Sequence, residues 1–329
     1  MERKNIKNNI EVSIIIVNYN SFNLLIQCID SLNKFAKDVS YEIIVVDNHS
    51  TEGLIEDVLT KYDEIKLIKN NENKGFGAAN NQGLEIANGK YILFLNNDTV
   101  FFENTVKKIY YFAESSHDPL IVGCKLLNSD NSLQHSVFDF PSPRNVFTSN
   151  FFLYALFPKS KYFNKYHLMN KRINEITEVD VVTGAFLFGT KSNIEEIGGF
   201  DERFFFYNEE TDLCYRFKLN GGKVYYYPGT AIIHLKGGTA NKISWFAYKN
   251  QSLSTIKFFQ KHFSGIIYIS ALAIHYIGIL IRIPIFLIIG LVTFNQDLLI
   301  RSFYYLKLLF MYPRNLFCGN SNFAPKTEY

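Results

Sequence analysis

Short apolar runs alternate with amphipathic stretches over the first hundred residues. The apolar runs are rich in β-branched side chains and predict buried strands at residues 12–17, 43–46, 65–68 and 91–95. The stretches between them predict helices at residues 22–33, 54–61 and 77–87. Strands that alternate with helices form βαβ units, whose parallel strands are buried on both faces of a sheet. The pattern therefore predicts an α/β domain with a mostly parallel sheet.

The second half of the chain is less regular. Apolar runs predict strands at residues 178–182, 184–189 and 223–227, and residues 209–219 predict a helix. Residues 128–178 contain Pro141, Pro143 and Pro158 among many aromatic side chains and show no clear period. We interpret this region as a long loop excursion beside the site.

Polar residues follow each of the four N-terminal strands, at the point where the strand ends. They occupy residues 18–21, 47–50, 73–77 and 96–98. In an open parallel sheet, ligands bind beyond the carboxyl ends of the strands. We therefore expect these four loops to gather on one rim and to form a binding site.

Asn96-Asn97-Asp98 follows a buried strand and offers a single carboxylate. Mg²⁺ takes one or two protein carboxylates and leaves its other positions to phosphate and water. Asp98 is therefore a candidate to hold a divalent cation against a diphosphate. The alternative is a simple turn or helix cap, for which Asn and Asp are also suited.

Three carboxylates lie within four positions at Glu209, Glu210 and Asp212. They stand at the start of a predicted helix, where the helix dipole stabilises negative charge. The functional alternative is a general base that removes a proton from a hydroxyl group. Glu209 and Asp212 share a helix face, whereas Glu210 points elsewhere.

Two further features lie near these carboxylates in the chain. His234 ends an apolar run and precedes a glycine-rich turn, so it is a candidate metal or phosphate ligand, although a structural histidine gives the same pattern. Gly198 and Gly199 form a turn before an aromatic segment, and glycines allow close approach of the backbone to a ligand.

Composition narrows the classes of function. A net charge of +3 over 329 residues gives no argument for nucleic acid as a partner. The four cysteines form no C-x-x-C pair, which argues against a zinc site. The polar N-terminus shows no signal peptide, so we expect the folded part to lie in the cytoplasm. The 16% aromatic content indicates a sugar-binding cleft, a membrane-facing surface or simply a bulky core.

Residues 266–294 are strongly apolar, interrupted by His275, Arg282 and Pro284. A spanning helix needs about 20 apolar residues, and an arginine near the bilayer centre costs at least ~2.5 kcal/mol. We therefore predict a peripheral or monotopic element, or a re-entrant one, rather than a clean span, with a buried helical hairpin or an oligomer interface as the alternative. Basic and tyrosine residues on both sides suit an anionic headgroup layer. The predicted domains are residues 1–250 and a helical, membrane-associated region at 251–329.

Six motifs occur in order along residues 11–240. They are VSIIIVNYN (12–20), EIIVVDNHS (42–50), NKGFGAAN (73–80), LFLNND (93–98), GGFDE (198–202) and EETDLC (209–214). Together they resemble the family 2 glycosyltransferases, and most of all the rhamnosyltransferase-like branch. The resemblance implies the GT-A fold, a nucleotide-diphospho-sugar transferase domain with a mixed, mostly parallel sheet.

The resemblance also implies roles for individual residues. Asp47 matches the acid that contacts the nucleotide base, and Gly75 the loop beside the ribose. The residues implied in donor binding are Asn18, Tyr19, Asp47, Asn48, Ser50, Gly75, Phe76, Asn80, Asn96 and Asn97. Those expected on the acceptor side are Gly199, Phe200 and Asp212.

The metal-binding D-x-D element of the family appears here with Asn96 in its first position, which leaves Asp98 as the only carboxylate. With His234, Asp98 is expected to hold Mg²⁺ or Mn²⁺ against the leaving diphosphate. Glu210 matches the catalytic base, with Glu209 as the alternative. The implied reaction is a single displacement with inversion.

The donor implied by the nearest branch is dTDP-rhamnose, with UDP-sugars also open. The apolar tail suggests a saccharide acceptor that is lipid-linked, at the inner face of the cytoplasmic membrane, in surface polysaccharide synthesis. A dinucleotide-dependent dehydrogenase is set aside because no G-x-G-x-x-G follows the first strand. A non-catalytic membrane-associated protein that binds nucleotide-sugars is the alternative from another class.

Overall fold

The structure is a computed structural model that describes residues 10–53, 55–62, 64–160, 162–163, 173–235 and 244–317. The chain divides into two compact units. One comprises Met1–Phe140 with Met169–Gly238, and the other comprises Pro141–Leu168 with Thr239–Tyr329. This division differs from the predicted boundary at residue 250, because the excursion after residue 140 belongs with the C-terminal helices.

The elements are numbered in chain order. The strands are β1 (Val12–Asn18), β2 (Tyr41–Asp47), β3 (Lys66–Lys69), β4 (Tyr91–Asn96), β5 (Thr99–Val100), β6 (Leu120–Leu127), β7 (Leu133–Gln134), β8 (Val137–Phe138), β9 (Thr177–Glu178), β10 (Val181–Val182), β11 (Phe186–Thr190) and β12 (Lys223–His234). The helices are α1 (Phe22–Phe35), α2 (Glu56–Lys61), α3 (Phe76–Ile86), α4 (Thr105–Ser115), α5 (Pro143–Asn150), α6 (Leu153–Leu156), α7 (Lys191–Glu196), α8 (Glu209–Leu219), α9 (Trp245–His262), α10 (Gly265–Val292) and α11 (Gln296–Phe317).

The first unit is built on one mixed sheet with the strand order β3-β2-β1-β4-β11-β6-β12-β5. β1 is parallel to β2 and β4, and β2 is parallel to β3. β11 runs antiparallel to both β4 and β6, and β12 is parallel to β6. The predicted α/β fold with a mixed, mostly parallel sheet is therefore confirmed.

Alternate residues of β1 explain why helices cover both faces of the sheet. Ile14 and Ile16 pack in a cluster with apolar residues of α1 and α4. Ile15 packs in a second cluster with apolar residues of α3 and α8. All three side chains are fully buried, as the continuous apolar run predicts for a central parallel strand.

The strand register brings the polar loops together. Asn18 at the end of β1 lies opposite Asp47 at the end of β2, and Val17 lies opposite Asn96 at the end of β4. The Asn48 side chain reaches the loop after β3, where its amide nitrogen donates to the Gly75 carbonyl over 3.1 Å. The four loops therefore share one rim, as the sequence predicted.

Two predicted strands differ in the structure. The run at residues 178–182 is divided between β9, which pairs with β12, and β10, which pairs with β8. β12 extends well past the predicted residue 227, with an irregularity in its pairing between Tyr227 and Ala231. Pro228 lies inside this irregularity, as expected for a residue that cannot donate to a strand ladder.

The second unit consists of helices in the parts that the structure describes. Gly265–Val292 is, among the described residues, the one helix whose length and composition suffice to cross a membrane, and little of it is buried. Ile256, Ile279 and Leu308 form a small core between α9, α10 and α11.

Candidate active site

The Asp47 carboxylate accepts several hydrogen bonds at one end of the rim. One carboxylate oxygen accepts from the Ser50 hydroxyl over 2.6 Å and from the Asn18 side-chain amide over 3.2 Å. The other accepts from the Ser50 backbone amide over 3.2 Å. Tyr19 stands beside this group with 46% of its surface exposed, so its ring is available to a ligand.

Asn48 is almost fully buried and uses its whole side-chain amide within the protein. Its oxygen accepts from Asn70 over 3.1 Å and from the Lys74 backbone amide over 3.0 Å. Its nitrogen donates to the Asn73 side chain over 2.9 Å and to the Gly75 carbonyl. These contacts fix the loop between β3 and α3, and the role of Asn48 in donor binding stays a prediction.

An open cavity of about 500 Å³ lies on the β3 side of this network. It is lined by Ile68, Lys69, Asn70, Asn71, Glu72, Lys74 and Gln82. The Asn70 backbone amide donates to the Asp47 carbonyl over 2.9 Å, so the cavity adjoins the Asp47 group.

Gly75 connects this loop to the segment before α8. Its φ of +89° is in the region that favours glycine, and a Cβ atom there would lie 2.4 Å from the Phe205 carbonyl oxygen. The next residue, Phe76, donates its backbone amide to that same oxygen over 3.1 Å. A larger residue at position 75 would therefore separate the two segments.

Asn80 lies in α3 with its side chain almost fully buried. Its nitrogen donates to the Phe76 carbonyl over 3.0 Å, while its buried oxygen has no hydrogen-bond partner among the described residues. This makes Asn80 primarily a constraint on the first turn of α3.

Asp98 and His234 meet at the other end of the rim. An Asp98 carboxylate oxygen lies 3.1 Å from His234 Nε2, and both side chains are largely buried. His234 Nδ1 lies 2.6 Å from the Gln134 side-chain oxygen, and Asn96 Nδ2 lies 3.3 Å from Nε2. The contact between Nδ1 and the Gln134 oxygen fixes the orientation of the ring, so that Nε2 faces the Asp98 carboxylate.

Asn97 links the two ends of the rim. Its side-chain nitrogen donates over 2.8 Å to the Asn18 side-chain oxygen, and Asn18 in turn donates to Asp47. A chain of side-chain amides therefore connects the Asp98 end to the Asp47 end.

Glu209 and Glu210 open α8. Glu209 is 5% exposed, and one carboxylate oxygen of each residue is buried without a hydrogen-bond partner among the described residues. Burial raises the pKa of both carboxyl groups, and repulsion by Glu210 raises the pKa of Glu209 further. Such groups hold a proton more readily than an exposed glutamate, which suits them to general-base chemistry.

Two glycines bring other segments close to this pair. A Cβ atom built on Gly77 would lie 3.7 Å from the Glu209 Cβ, and one built on Gly184 would lie 3.8 Å from the Glu210 Cβ. Tyr207 and Asn208, which precede the pair, both have positive φ angles, of 68° and 63°. Positive φ in consecutive non-glycine residues is strained, and such strain clusters at functional sites.

Asp212 and Phe200, predicted on the acceptor side, are both buried, and their acceptor-side role stays a prediction. Asp212 is fully buried and accepts from Arg216 Nε over 2.7 Å, while Arg216 also donates to the Ile197 and Gly199 carbonyls. The Phe200 ring is buried against Phe94. Both residues therefore hold the Gly198-Gly199 turn in place, with Gly199 at a φ of +61°.

The sequence did not identify several residues that support the site. Asn81 accepts from and donates to the Phe200 backbone, each over 2.9 Å, and Gln134 orients His234. Gln134 lies in a two-residue strand inside the region that showed no period. The one available signal was the amide-rich run at residues 80–82, which contains Asn81 and Gln82.

Known glycosyltransferases are similar to this chain in sequence. The chain is 29% identical over 231 residues to the rhamnosyltransferase WbbL of Escherichia coli K12, which is 68% of this chain and 83% of the relative. It is 27% identical over 210 residues to the low-salt glycan biosynthesis hexosyltransferase Agl10 of Haloferax volcanii, covering 63% of this chain and 61% of the relative. The chain therefore spans less than two thirds of the length of the second of these relatives.

Solved structures show the same fold. The match to Staphylococcus aureus TarS 1–349 has a TM-score of 0.50 at 19% identity and covers 81% of this chain and 72% of that one. The match to GalNAc-T7 with UDP, GalNAc and Mn²⁺ has a TM-score of 0.52 at 15% identity and covers 75% of this chain and 48% of that one. These likenesses establish the GT-A fold.

Residues 13–188 match the family described as Glycosyl transferase family 2. That stretch is more than half of the chain and extends from Ser13, the second residue of β1, past β4, with all four polar loops of the rim. The chain therefore belongs to glycosyl transferase family 2, as its motifs predicted, and is a glycosyltransferase.

Proposed function

We propose that this protein transfers a sugar, with inversion, from a nucleotide-diphosphate donor to a saccharide acceptor in polysaccharide synthesis. The observation that carries the proposal is the Glu209–Glu210 pair. Its buried oxygens have no hydrogen-bond partner among the described residues, in the unit that also holds Asp47 and Asp98 on one rim. A structural role would instead supply a partner, as Arg216 does for Asp212.

The nucleoside end of the donor belongs at the Asp47 group. The Asp47 carboxylate offers an acceptor to an N–H of a pyrimidine base, and the exposed Tyr19 ring offers a stacking face. The likeness to WbbL favours dTDP-rhamnose, and the UDP in the GalNAc-T7 structure keeps UDP-sugars as the alternative.

Asp98 and His234 fit a divalent cation. Ligands about 2.1 Å from an octahedral ion lie about 3 Å apart at right angles, and Asp98 and His234 Nε2 are separated by 3.1 Å. No group of three or more acidic, histidine or cysteine side chains suited to a metal occurs among the described residues. The donor diphosphate and water would therefore supply the remaining ligands, and the ion would neutralise the leaving diphosphate.

Proton transfer falls to Glu210, with Glu209 as the alternative. Glu210 accepts the proton of the acceptor hydroxyl group while the oxygen of that hydroxyl group forms a bond to the anomeric carbon. The bond from that carbon to the diphosphate breaks on the opposite face, and its electron pair leaves with the diphosphate. One displacement inverts the anomeric centre and needs no covalent intermediate.

The acceptor is lipid-linked in this proposal, and the protein works at the cytoplasmic face of the membrane. The support is the exposed apolar helix α10, which sets this chain apart from a fully soluble enzyme. Membrane extracts that contain lipid-linked saccharides are therefore the expected source of acceptor.

The test is a transfer assay with dTDP-rhamnose and UDP-sugars, Mg²⁺ or Mn²⁺, and a lipid-extract acceptor. We expect one donor to be consumed and the product linkage, read by NMR, to be inverted relative to the donor. Retention of configuration contradicts the single displacement. If a thermal shift shows that the donor binds but no acceptor leads to its consumption, the alternative of a non-catalytic nucleotide-sugar binding protein is favoured instead.

A further inference from the structure

Helix α10 exposes one continuous apolar stripe. Its members recur every three or four residues, which places them on one helix face. They are Ile266, Ile269, Ala273, Ile277, Leu280, Pro284, Leu287 and Leu291, and all are exposed. A soluble helix shows the opposite pattern, with its apolar stripe on the core and its polar residues in water.

Two polar residues of α10, Arg282 and His275, make contacts within the unit. Arg282 donates from Nη1 to the Asn150 side chain over 2.6 Å and from Nη2 to the Ser149 carbonyl over 2.7 Å. Its guanidinium also lies over the Tyr305 ring, 5.5 Å from the centroid. His275 Nε2 lies 2.9 Å from the Ser252 hydroxyl. The Arg282 and His275 side chains are therefore hydrogen-bonded within the unit.

The middle of α10 is covered by α5. A Cβ atom on Gly278 would lie 2.6 Å from atoms of the Asn150 side chain, so only glycine admits this contact. The α5 sequence, PRNVFTSN, is mainly polar and contains Arg144. If α10 crossed a bilayer, this polar helix would lie at the depth of the hydrocarbon, where unpaired polar groups are very costly.

Charge is strongly segregated between the two units. Residues 141–168 and 239–329 contain 13 lysines and arginines and only two acidic residues, a net charge of +11. Because the whole chain carries +3, the remaining residues carry −8. A surface of anionic lipid complements the apolar stripe and this charge together, whereas a second copy of the same unit would repel it.

We propose that the second unit docks on an anionic lipid bilayer with α10 lying parallel to the membrane plane. The stripe from Ile266 to Leu291 enters the boundary between headgroups and acyl chains, and α5 stays on the water side with Arg282. This deepens the proposed function, on which it rests for the lipid-linked acceptor, by naming the surface through which the chain binds the membrane that carries that acceptor.

Vesicle flotation of the full chain tests the docking, using phosphatidylcholine vesicles with and without about 30% phosphatidylglycerol. We expect stronger binding to the anionic vesicles and a marked loss in about 0.5 M salt. The Ile277→Glu/Leu280→Glu variant should bind about a hundredfold more weakly, since each buried aliphatic side chain contributes about tenfold. Leu219→Glu, at an exposed leucine of the first unit, is the matched control and should bind like the wild type.

Two results would overturn the docking. One is unchanged flotation of the double variant with its helical content intact by circular dichroism. The other is a double variant that loses a dimer in solution but still floats, which would assign the stripe to a second copy. No sugar nucleotide is present, so a failure here is distinct from a failure of sugar transfer.

Orientation is tested by single cysteines at the two ends of α10. Ser264→Cys and Thr293→Cys are placed in a Cys318→Ser background, in which Cys28, Cys124 and Cys214 are buried. An impermeant maleimide added outside vesicles should label both positions if α10 lies in the plane. Labelling of only one position means that the helix crosses the bilayer, which contradicts the proposal.

Discussion

The three carboxylates in the first turn of α8 have two different environments. Asp212 is fully buried, and Arg216 neutralises it while tying down the Gly198-Gly199 turn. Glu209 and Glu210, two or three residues earlier, each have one buried carboxylate oxygen with no hydrogen-bond partner among the described residues. The same helix dipole acts on all three groups, so the dipole does not explain the difference. Asp212 has a charged partner that stabilises its buried carboxylate, whereas the two glutamates have raised pKa values, as expected of the proposed general base.

The largest expected effect is on turnover. Glu210→Gln keeps the shape of the side chain but removes the proton acceptor, so kcat should fall about 10³-fold. The Kd for the donor should stay within about twofold, since binding does not use this group. Single-turnover kinetics and calorimetric titration measure the two quantities separately.

Glu209→Gln is the matched control for that experiment. A loss in Glu209→Gln larger than in Glu210→Gln reverses the roles of the two residues. Full activity in both variants removes the pair from the chemistry.

The next effect is on stability. Arg216→Ala leaves Asp212 buried without its partner, and breaking a buried ion pair costs about 3–5 kcal/mol. Denaturant unfolding should show this loss in the free energy of unfolding. The control is Lys61→Ala, whose partner Asp30 lies in an exposed ion pair worth about 0–1 kcal/mol. Equal losses in the two variants contradict a special role for Asp212.

Donor affinity should respond to Asp47. Asp47→Asn replaces an acceptor of hydrogen bonds from Ser50 and Asn18 by a group that also donates, so donor Kd should rise about tenfold. The kcat at saturating donor should change little, because Asp47 is remote from proton transfer in the proposed mechanism. Asp38→Asn, in an exposed ion pair with Lys107, is the control. If Asp47→Asn changes kcat but not the Kd for the donor, the proposal that Asp47 contacts the nucleoside is contradicted.

The smallest expected effect is a pH-dependent gain in stability. The pKa of Glu209 is raised in the folded protein, so the wild type loses stability as pH rises from the unfolded pKa through the folded one. Glu209→Gln does not titrate and should have the higher Tm at neutral pH. The difference in Tm between the variant and the wild type should decrease as pH falls toward the pKa of an ordinary glutamate. If the difference in Tm between Glu209→Gln and the wild type does not change with pH, the pKa of Glu209 is not raised in the folded protein.

The sequence predicted the rim well because parallel strands impose it. Once β1, β2 and β4 are recognised as buried parallel runs, the loops that begin at Asn18, Asp47 and Asn96 must meet. The family resemblance also depends on these loops, and the match over residues 13–188 agrees with it.

The partners of individual side chains were less predictable. Helical spacing placed Asp212 on the Glu209 face but gave no sign that Arg216, four residues later, would bind it and the turn before α8. The position of Asn48 at the end of β2 predicts a ligand-binding residue. The sequence did not indicate that its side-chain amide makes hydrogen bonds to four residues, namely Asn70, Asn73, Lys74 and Gly75. These contacts depend on the conformation of irregular loops, which hydrophobic periodicity does not encode.

The contact between Gly75 and the Phe205 carbonyl has a consequence for protein engineering. Loops that confer donor preference are natural candidates for exchange between related enzymes. Here the loop at residues 73–77 is hydrogen-bonded to the segment that leads into Glu209 and is shaped to it at Gly75. A chimaera that imports the loop at residues 73–77 without residues 200–208 would displace the start of α8, so the two stretches have to be transplanted together.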